Sequence, residues 1–460
     1  MDTRRLILAA AGTGALLALA VLPAGRAIAG TGVSVPCSGS GGGAAGLIAA
    51  ISAANAGGGA TINLAAGCTY QLTAADNSNP MLGGTGLPVI TSPVTLNGSG
   101  TTIAGNDTSF RILQVGGTGN LTVQGLTITG GSTATMGGGI LNLEGTLTLN
   151  HSRVTGNTAD GGPMSAGGGI ASGTLGTGPL GTTTLNASQV NGNTTTGSAG
   201  GILNHGGTLT LNASQVNGNT AANGGGGIAS GTGGMGTNSA SSLTLNGSQV
   251  NGNTANGGPR AGAGGIANGG LATLNGSQVN GNTAPGGFGG GILNHGQMTI
   301  KGSVVNNNTA LTDSSGDQGG GGGIANLNIT PLTGAPDSGV LTLTGSQVSA
   351  NSATGPPLFL FVERWAAVTL GDSTLSLRLF PFLASCAALI LLVQSPSGRR
   401  GYPGLRSARN RRRRCRELPP ARRAECPSAP RPHSRRRPWP PVRRLRPREP
   451  RGGCSSPVRR

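Results

Sequence analysis

The sequence GGILNHGGTLTLNASQVNGNTAANGGGGI spans residues 200–228, and parts of it recur throughout the middle of the chain. A glycine run ending in isoleucine, a Thr-Leu-Thr-Leu-Asn phrase and a Ser-x-Val-x-x-Asn phrase follow one another in each unit. The last phrase occurs seven times, and its valines are 36, 26, 34, 29, 26 and 43 residues apart. This spacing indicates a core unit of 26 residues that carries insertions of variable length.

The three phrases of each unit have the pattern of short β-strands. In residues 208–211, leucine alternates with threonine, so Leu209 and Leu211 face one side and Thr208 and Thr210 the other. Strands this short bury a core only if successive units stack, about 4.8 Å apart, as coils of a parallel solenoid. The isoleucines, leucines and valines then form three inner columns. Frequent Gly, Thr, Val and Asn residues oppose helical repeats.

The recurrent asparagines of the third phrase predict a structural ladder. A column of identical amides at a turn satisfies backbone and side-chain partners in neighbouring coils, as amide ladders do in stacked strands. The seven members are Asn157, Asn193, Asn219, Asn253, Asn282, Asn308 and Asn351.

The phrases GGGI and VNGNTA resemble the GG-[AIL]-x and FxxN tetrapeptides of the polymorphic outer membrane protein repeats, with valine in place of phenylalanine. The opening segment, from LIAAISAANA through TINLAAGCTYQL to LTVQGLTITGG, is similar to the N-terminal cap and first coils of secreted bacterial β-helix proteins. The resemblance covers residues 37–354. It implies an all-β fold, a right-handed parallel β-helix (β-solenoid), with a short N-terminal capping helix.

The first 29 residues predict an export signal. MDTRR is a basic start, a weakly apolar run follows, and Ala27 to Ala29 form a small-x-small cleavage site. The pair Arg4-Arg5 leaves the general secretory and twin-arginine routes both open. We expect an extracellular or cell-surface protein, associated with an outer membrane or a cell wall.

Export permits disulfides, and Cys37 and Cys68 are the cysteines of residues 30–355. We predict that they pair. They lack the close CxxC spacing typical of redox-active or metal-binding thiols. A helical pattern between them, followed by an alternating strand, predicts an end cap.

The positive charge of the chain belongs to its C-terminal tail. The formal charge is +18, but residues 399–460 contain 22 Arg against three Glu, and residues 30–355 are slightly acidic. Three interpretations stay open: an out-of-frame translation of GC-rich repeat DNA, a membrane anchor with a cytoplasmic tail, or nucleic-acid binding. An exported protein seldom meets nucleic acid, so that partner is not expected. Membrane contact is expected only if the apolar run 379–393 is a real anchor, and the tail is otherwise disordered or non-native.

These patterns divide the chain into five expected segments. They are a signal peptide (1–29), an N-terminal cap of helix and first strand (30–75), β-helix repeats (76–355), an apolar segment (356–398) and an Arg/Pro-rich low-complexity tail (399–460).

Candidate chemical groups are few in the repeat region. Asp313, Asp317 and Asp337 form a local cluster of acids, with a metal-binding or catalytic role and a solvated loop as the two interpretations. His205 and His295 both occur in GILNHG, three units apart. Stacking separates them by about 14 Å, which is too far to share one metal, so we expect surface histidines. No catalytic residue and no cofactor is predicted.

We therefore expect a non-catalytic role, adhesin-like or structural, with glycans or a host or neighbouring cell surface as partner. Insertions at 159–168, 229–241 and 309–323 are the expected carriers of specificity. The alternative is a polysaccharide lyase or glycoside hydrolase on the same scaffold, which needs clustered carboxylates for calcium with a basic residue, or a carboxylate pair.

Overall fold

A computed structural model describes residues 32–106, 109–174, 180–231, 241–257, 262–311, 321–326, 339–354, 367–370 and 374–375. The expected signal peptide and basic tail lie outside these residues. Within them the chain winds into stacked coils whose strands pair in parallel, after one N-terminal helix. The prediction of a parallel β-helix with a capping helix is confirmed.

The N-terminal cap consists of a strand, Val33–Val35, and the helix Gly43–Gly57. Leu47, Ile51 and Ala54 lie one helical turn apart and are buried, so one face of the helix covers the first coil. The helix ends at Gly58, whose φ of 81° is left-handed. The other strands of the N-terminal region are Ala60–Leu64, Thr69–Gln71, Asn77–Asn79, Gly83–Thr85, Pro93–Ala104, Phe110–Arg111 and Asn120–Thr129.

Each regular coil contains four strands, which we name after their inward residue. The Ile strands are Leu113–Val115, Ile140–Leu143, Ile170–Gly173, Ile202–His205, Ile228–Ser230, Ile266–Asn268, Ile292–Asn294 and Ile324–Asn326. The Leu strands are Thr146–Asn150, Thr182–Asn186, Thr208–Asn212, Ser242–Asn246, Leu271–Asn275, Gln297–Lys301, Val340–Thr344 and Ala367–Leu370. The Val strands are Arg153–Thr155, Gln189–Asn191, Gln215–Asn217, Gln249–Asn251, Gln278–Asn280, Val304–Asn306, Gln347–Ser349 and Thr374–Leu375.

The fourth strand of the coil was not among the three predicted phrases. These Ala strands are Ser132–Thr133, Thr158–Ala159, Thr194–Ser198, Thr220–Asn223, Thr254–Ala255, Thr283–Pro285, Thr309–Leu311 and Ser352–Thr354. Most of them are only two or three residues long, so the sequence contains too little alternation to identify them.

The strands stack in register into long parallel sheets. Leu and Val strands share one 21-stranded sheet, because the long strand Asn120–Thr129 pairs with both Thr146–Asn150 and Arg153–Thr155. Ile strands and Ala strands each form an 8-stranded sheet, and a 3-stranded sheet belongs to the N-terminal region. The apolar columns run along the axis, and the isoleucines from Ile140 to Ile292 are fully buried.

The lengths of the connections differ between the corners of the coil. Between Leu and Val strands, and again between Val strands and the following Ala strands, the connection is always two residues, from the coil of Thr146 to that of Val340. Before and after the Ile strands, it varies from two to 13 residues. The insertions therefore collect at the two corners that flank the Ile sheet.

Candidate functional site: inner ladders and an outer polar face

The predicted asparagines form a continuous ladder inside the coil. The Oδ1 of Asn219 accepts hydrogen bonds from the backbone N–H of Asn193 (2.9 Å) and from its Nδ2 (3.0 Å). The Nδ2 of Asn219 donates to the Oδ1 of Asn253 (2.9 Å) and to the carbonyl of Val190 (2.8 Å). The same pattern links successive members from Asn157 to Asn351. Because these amides are saturated by the chain itself, the ladder is structural.

The glycine before each isoleucine is the steric counterpart of this ladder. A Cβ added at Gly227 would lie 2.9 Å from the Nδ2 of Asn253 and 2.9 Å from the carbonyl oxygen of Gly265. Gly201 and Gly291 meet their own ladder asparagines in the same way. The phrases GGGI and VxxN therefore recur together, because the last glycine of GGGI has no side chain and so leaves room for the asparagine of VxxN.

Two further buried ladders were not predicted. In the turn after each Leu strand from Thr146–Asn150 to Val340–Thr344 a serine points inward; the Oγ of Ser214, for example, accepts from the backbone N–H of Ser188 (3.0 Å). In the Ile sheet, Asn268 Nδ2 donates to Asn294 Oδ1 (2.8 Å), and Asn294 Nδ2 donates to Asn326 (2.7 Å). The recurrent serine of SQV and the asparagine of ILN and IAN were the available sequence signals.

Cys37 and Cys68 form a disulfide in the cap, with their Cα atoms 5.7 Å apart. The bond joins the segment before the helix to the strand that starts at Thr69. Asp313, Asp317 and Asp337, the acidic metal candidates, lie outside the described residues.

The two histidines of GILNHG lie three coils apart along the Ile sheet. The expectation that both are surface residues is wrong for His295, which is only 8% exposed. Burial lowers the pKa of its imidazole to about 4, and its Nδ1 has no hydrogen-bond partner. His205 is partly exposed and lines a shallow apolar depression with Leu143 and Leu203. The sequence gives no signal that separates the two, because exposure depends on what lies over each strand.

Arg111 is fully buried near the N-terminal end of the coil. Its Nε donates to the carbonyl of Met136 (3.2 Å), its Nη1 to the Oγ1 of Thr85 (3.2 Å), and its Nη2 to the Oγ1 of Thr135 (2.8 Å) and to the carbonyl of Leu82. Burial lowers the pKa of the guanidinium to about 10. Because its donors are used on neutral groups of the chain, Arg111 cross-links the first coils and leaves no donor group for a ligand.

The outside of the Leu strands is a regular polar surface, which we call the threonine face. It centres on an unbroken column in which every threonine pairs in register with the next and is partly exposed. The members of this column are Thr61, Thr95, Thr122, Thr148, Thr184, Thr210, Thr244, Thr273, Thr299 and Thr342.

An outer asparagine column borders the threonines. Asn212 Nδ2 donates to Asn186 Oδ1 (2.9 Å), and Asn246 Nδ2 donates to Asn212 Oδ1 (2.9 Å). Asn186 donates to Asn150 and Asn275 donates to Asn246 in the same manner. Among the outward residues of the Leu strands from 146 to 344, Lys301 is the charged one. The threonine face is therefore polar, regular along the coils and nearly uncharged.

The predicted insertions partly coincide with the variable corners. Residues 160–169 connect an Ala strand to an Ile strand, as expected, but Ala229 and Ser230 lie in an Ile strand and Thr309–Leu311 is an Ala strand. Long connections at 174–181 and 327–339 were not predicted. These connections flank the Ile strands in the chain, and the phrase from Leu strand to Ala strand carries no insertion from residue 146 to residue 354.

Within the described part of the chain, no group of three or more His, Cys, Asp or Glu residues is arranged to hold a metal ion. No helix there combines the length and hydropathy that a membrane span requires.

A scan of protein-family models and a search of curated proteins gave no match to this chain. Among solved structures, the chain is similar to the crystal structure of pectate lyase Pel9A, with 12% sequence identity and a TM-score of 0.41. The alignment covers 75% of this chain and 78% of the lyase. A similarity this low carries no argument about activity.

Proposed function

We propose that this protein is a secreted or cell-surface β-helix with a non-catalytic role, adhesin-like or structural. One observation carries the proposal: connections vary in length only beside the Ile sheet, while the phrase from Leu strand to Ala strand keeps one length in every regular coil. A long scaffold of constant cross-section that displays loops of different length at its corners has the organisation of a repeat protein built for binding.

The proposed partners are glycans or the surface of a host or neighbouring cell. The signal-like N-terminus supports a location outside the cytoplasm, and the resemblance of GGGI and VNGN to polymorphic outer membrane protein repeats supports display at a surface. The corner loops are the proposed sites of contact, because side chains on loops held by a rigid scaffold are free to vary without disturbing the core.

Binding and product formation are measured together on immobilised polysaccharides, neutral and acidic, with the full chain. We expect retention on at least one glycan without new reducing or unsaturated ends. Replacement of residues 231–241 by two glycines, the connection found in the next coil at Gly269 and Gly270, is expected to weaken binding while the circular dichroism spectrum is kept. Gln249→Lys, on the outside of the Val strand in the same coil, is the matched control. Formation of new sugar ends would overturn the proposal in favour of a lyase or hydrolase.

A further inference from the structure

We infer that the threonine face binds a second copy of this chain, with the two coils antiparallel and related by a two-fold axis. The face is the outer side of a parallel sheet whose inner side packs on the core. Its column of ten threonines and its outer asparagine column offer hydrogen-bonding groups in a regular array.

The repeat distance of the face selects its partner. Strand spacing repeats the side chains every 4.7–4.9 Å, or about 4.8 Å. A second copy has the same repeat, so its threonines stay in step along the entire face. The alternative partner is an ordered, ice-like layer of water. In a tetrahedral water network with hydrogen bonds of about 2.75 Å, the oxygen atoms of second neighbours are about 4.5 Å apart. The positions of these oxygen atoms therefore fall behind those of the threonines by about 0.3 Å per coil, and the two arrays are half a repeat out of step after about eight coils.

The size of the face is that of a stable protein–protein interface. Nine strand spacings extend about 43 Å along the axis, and a five-residue Leu strand is about 17 Å wide. The product is about 700 Å² on each copy, close to the roughly 800 Å² per partner of standard interfaces.

The side chains of the face are already ordered before any pairing. Threonine is β-branched and has few rotamers, and Asn186, Asn212 and Asn246 are tied to one another along the column. Pairing therefore costs little side-chain entropy. Polar sheet faces with identical ladders are known to interdigitate as dry zippers. Leu271, half exposed at the border of the face, would gain burial in such a pair.

Charge favours the antiparallel direction of the pairing. In a parallel arrangement with the two-fold axis along the coils, the facing strands run in opposite directions, so Lys301 of one copy lies over Gln297 of the other and the two lysines are about 13 Å apart. In the antiparallel arrangement, the coil of Lys301 meets the coil of Asn97, so the two lysines are about 34 Å apart. The two-fold axis then passes between Thr184 and Thr210, and each of these residues faces the other in the second copy.

The test is sedimentation equilibrium of the purified full chain over a wide concentration range. We expect a monomer–dimer equilibrium for the wild type. The variant Thr184→Lys/Thr210→Lys places four like charges around the axis and is expected to weaken the dimer more than about 100-fold. Thr184→Glu/Thr210→Lys, which sets opposite charges across the axis, is expected to restore it.

The control is Gln189→Lys/Gln215→Lys, on the outside of the Val strands in the same two coils, which is expected to keep the dimer. Thermal unfolding checks that all variants fold. A wild type that stays monomeric would overturn the inference. So would a dimer whose dissociation constant is the same in the wild type and in the threonine variants. Retention of a monomer on neutral polysaccharide, lost in Thr184→Lys/Thr210→Lys, would overturn it in favour of a glycan. These outcomes do not depend on the corner loops, so they are distinct from a failure of the proposed function.

Discussion

At the scale of single residues, the stability of the coil depends on buried amides that have no access to water. Asn219 is fully buried and makes four hydrogen bonds to neighbouring coils. Asn212, in the same coil, hydrogen-bonds in the outer column and is partly exposed. The same side chain therefore has two different energetic roles a few residues apart.

Asn219→Ala is expected to lower the free energy of unfolding by about 3 kcal/mol, because it removes the buried acceptor of the backbone N–H of Asn193 and the amide that donates to the carbonyl of Val190. Asn212→Ala is expected to cost less than about 1 kcal/mol, since water replaces its lost partners. Urea unfolding followed by circular dichroism measures both. Equal losses in the two variants would show that burial of the inner ladder does not set its energetic role.

His295 makes stability depend on pH. Its pKa is about 4 in the folded protein, against 6.5 for the unfolded group, so the unfolded state binds the proton more tightly. The contribution is fully present above pH 6.5 and is lost as the pH falls toward 4, by about 3 kcal/mol.

His295→Asn is expected to flatten the decrease in stability between pH 6.5 and 4, measured as unfolding midpoints against pH. His205→Asn, at the equivalent place three coils earlier, controls for the loss of an imidazole from this phrase. If both variants have the pH profile of the wild type, the buried imidazole is not the titrating group.

At the scale of elements, each Ile strand from Ile140 onward is preceded by a glycine whose position has no room for a Cβ. Gly227→Ala is expected to destabilise by about 1–3 kcal/mol, since the new Cβ meets the Asn253 side chain and a backbone oxygen. Gly247, in the turn after a Leu strand, has φ of 54° but nothing within 4 Å of a Cβ. Ala213 adopts a φ of 47° at the same place in the preceding coil, so Gly247→Ala is expected to cost less than about 1 kcal/mol. Thermal unfolding of the two variants separates the cost of a steric overlap, at Gly227, from the cost of a positive φ, at Gly247.

The cap is a second element with its own source of stability. The disulfide Cys37–Cys68 closes a loop of 31 residues, for which chain entropy gives about 3–4 kcal/mol. Cys37→Ala/Cys68→Ala is expected to raise amide hydrogen exchange first in the helix Gly43–Gly57, because each coil contacts only its neighbours. Faster exchange that is uniform over all coils would argue against a locally stabilised cap.

The strands that the sequence predicted are those whose alternation is long enough to be recognised. Leu209 and Leu211 alternate with threonines over a full Leu strand, and the repeated valines identified the Val strands. The Ala strands were missed because Thr158–Ala159 offers one inward residue and no period. The burial of His295 was missed because it depends on packing over the Ile sheet, which no local pattern encodes. The threonine column was visible in the sequence, but its unbroken length became clear only from the register of the strands.

At the scale of the whole molecule, the stability of the solenoid depends on the same arrangement of inward residues being repeated in every regular coil. Because every regular coil presents the same columns to the next, a coil with short connections on both sides should be removable as a unit. Residues 202–227 form such a coil of 26 residues, and their removal joins Gly201 to Ile228. In the shortened chain, Ile170 stacks on Ile228, and the Nδ2 of Asn193 donates to the Oδ1 of Asn253 in place of Asn219.

We expect this deletion to leave a folded protein with an unchanged strand signature in circular dichroism and cooperative unfolding at a somewhat lower urea concentration, since one coil–coil interface is lost. Deletion of residues 202–214 removes half the coil and joins Gly201 to Gln215, which puts a Val strand where an Ile strand is needed. That variant is expected to lose cooperative unfolding. If the half-coil deletion unfolds as cooperatively as the full one, the register between columns is not what holds the solenoid together.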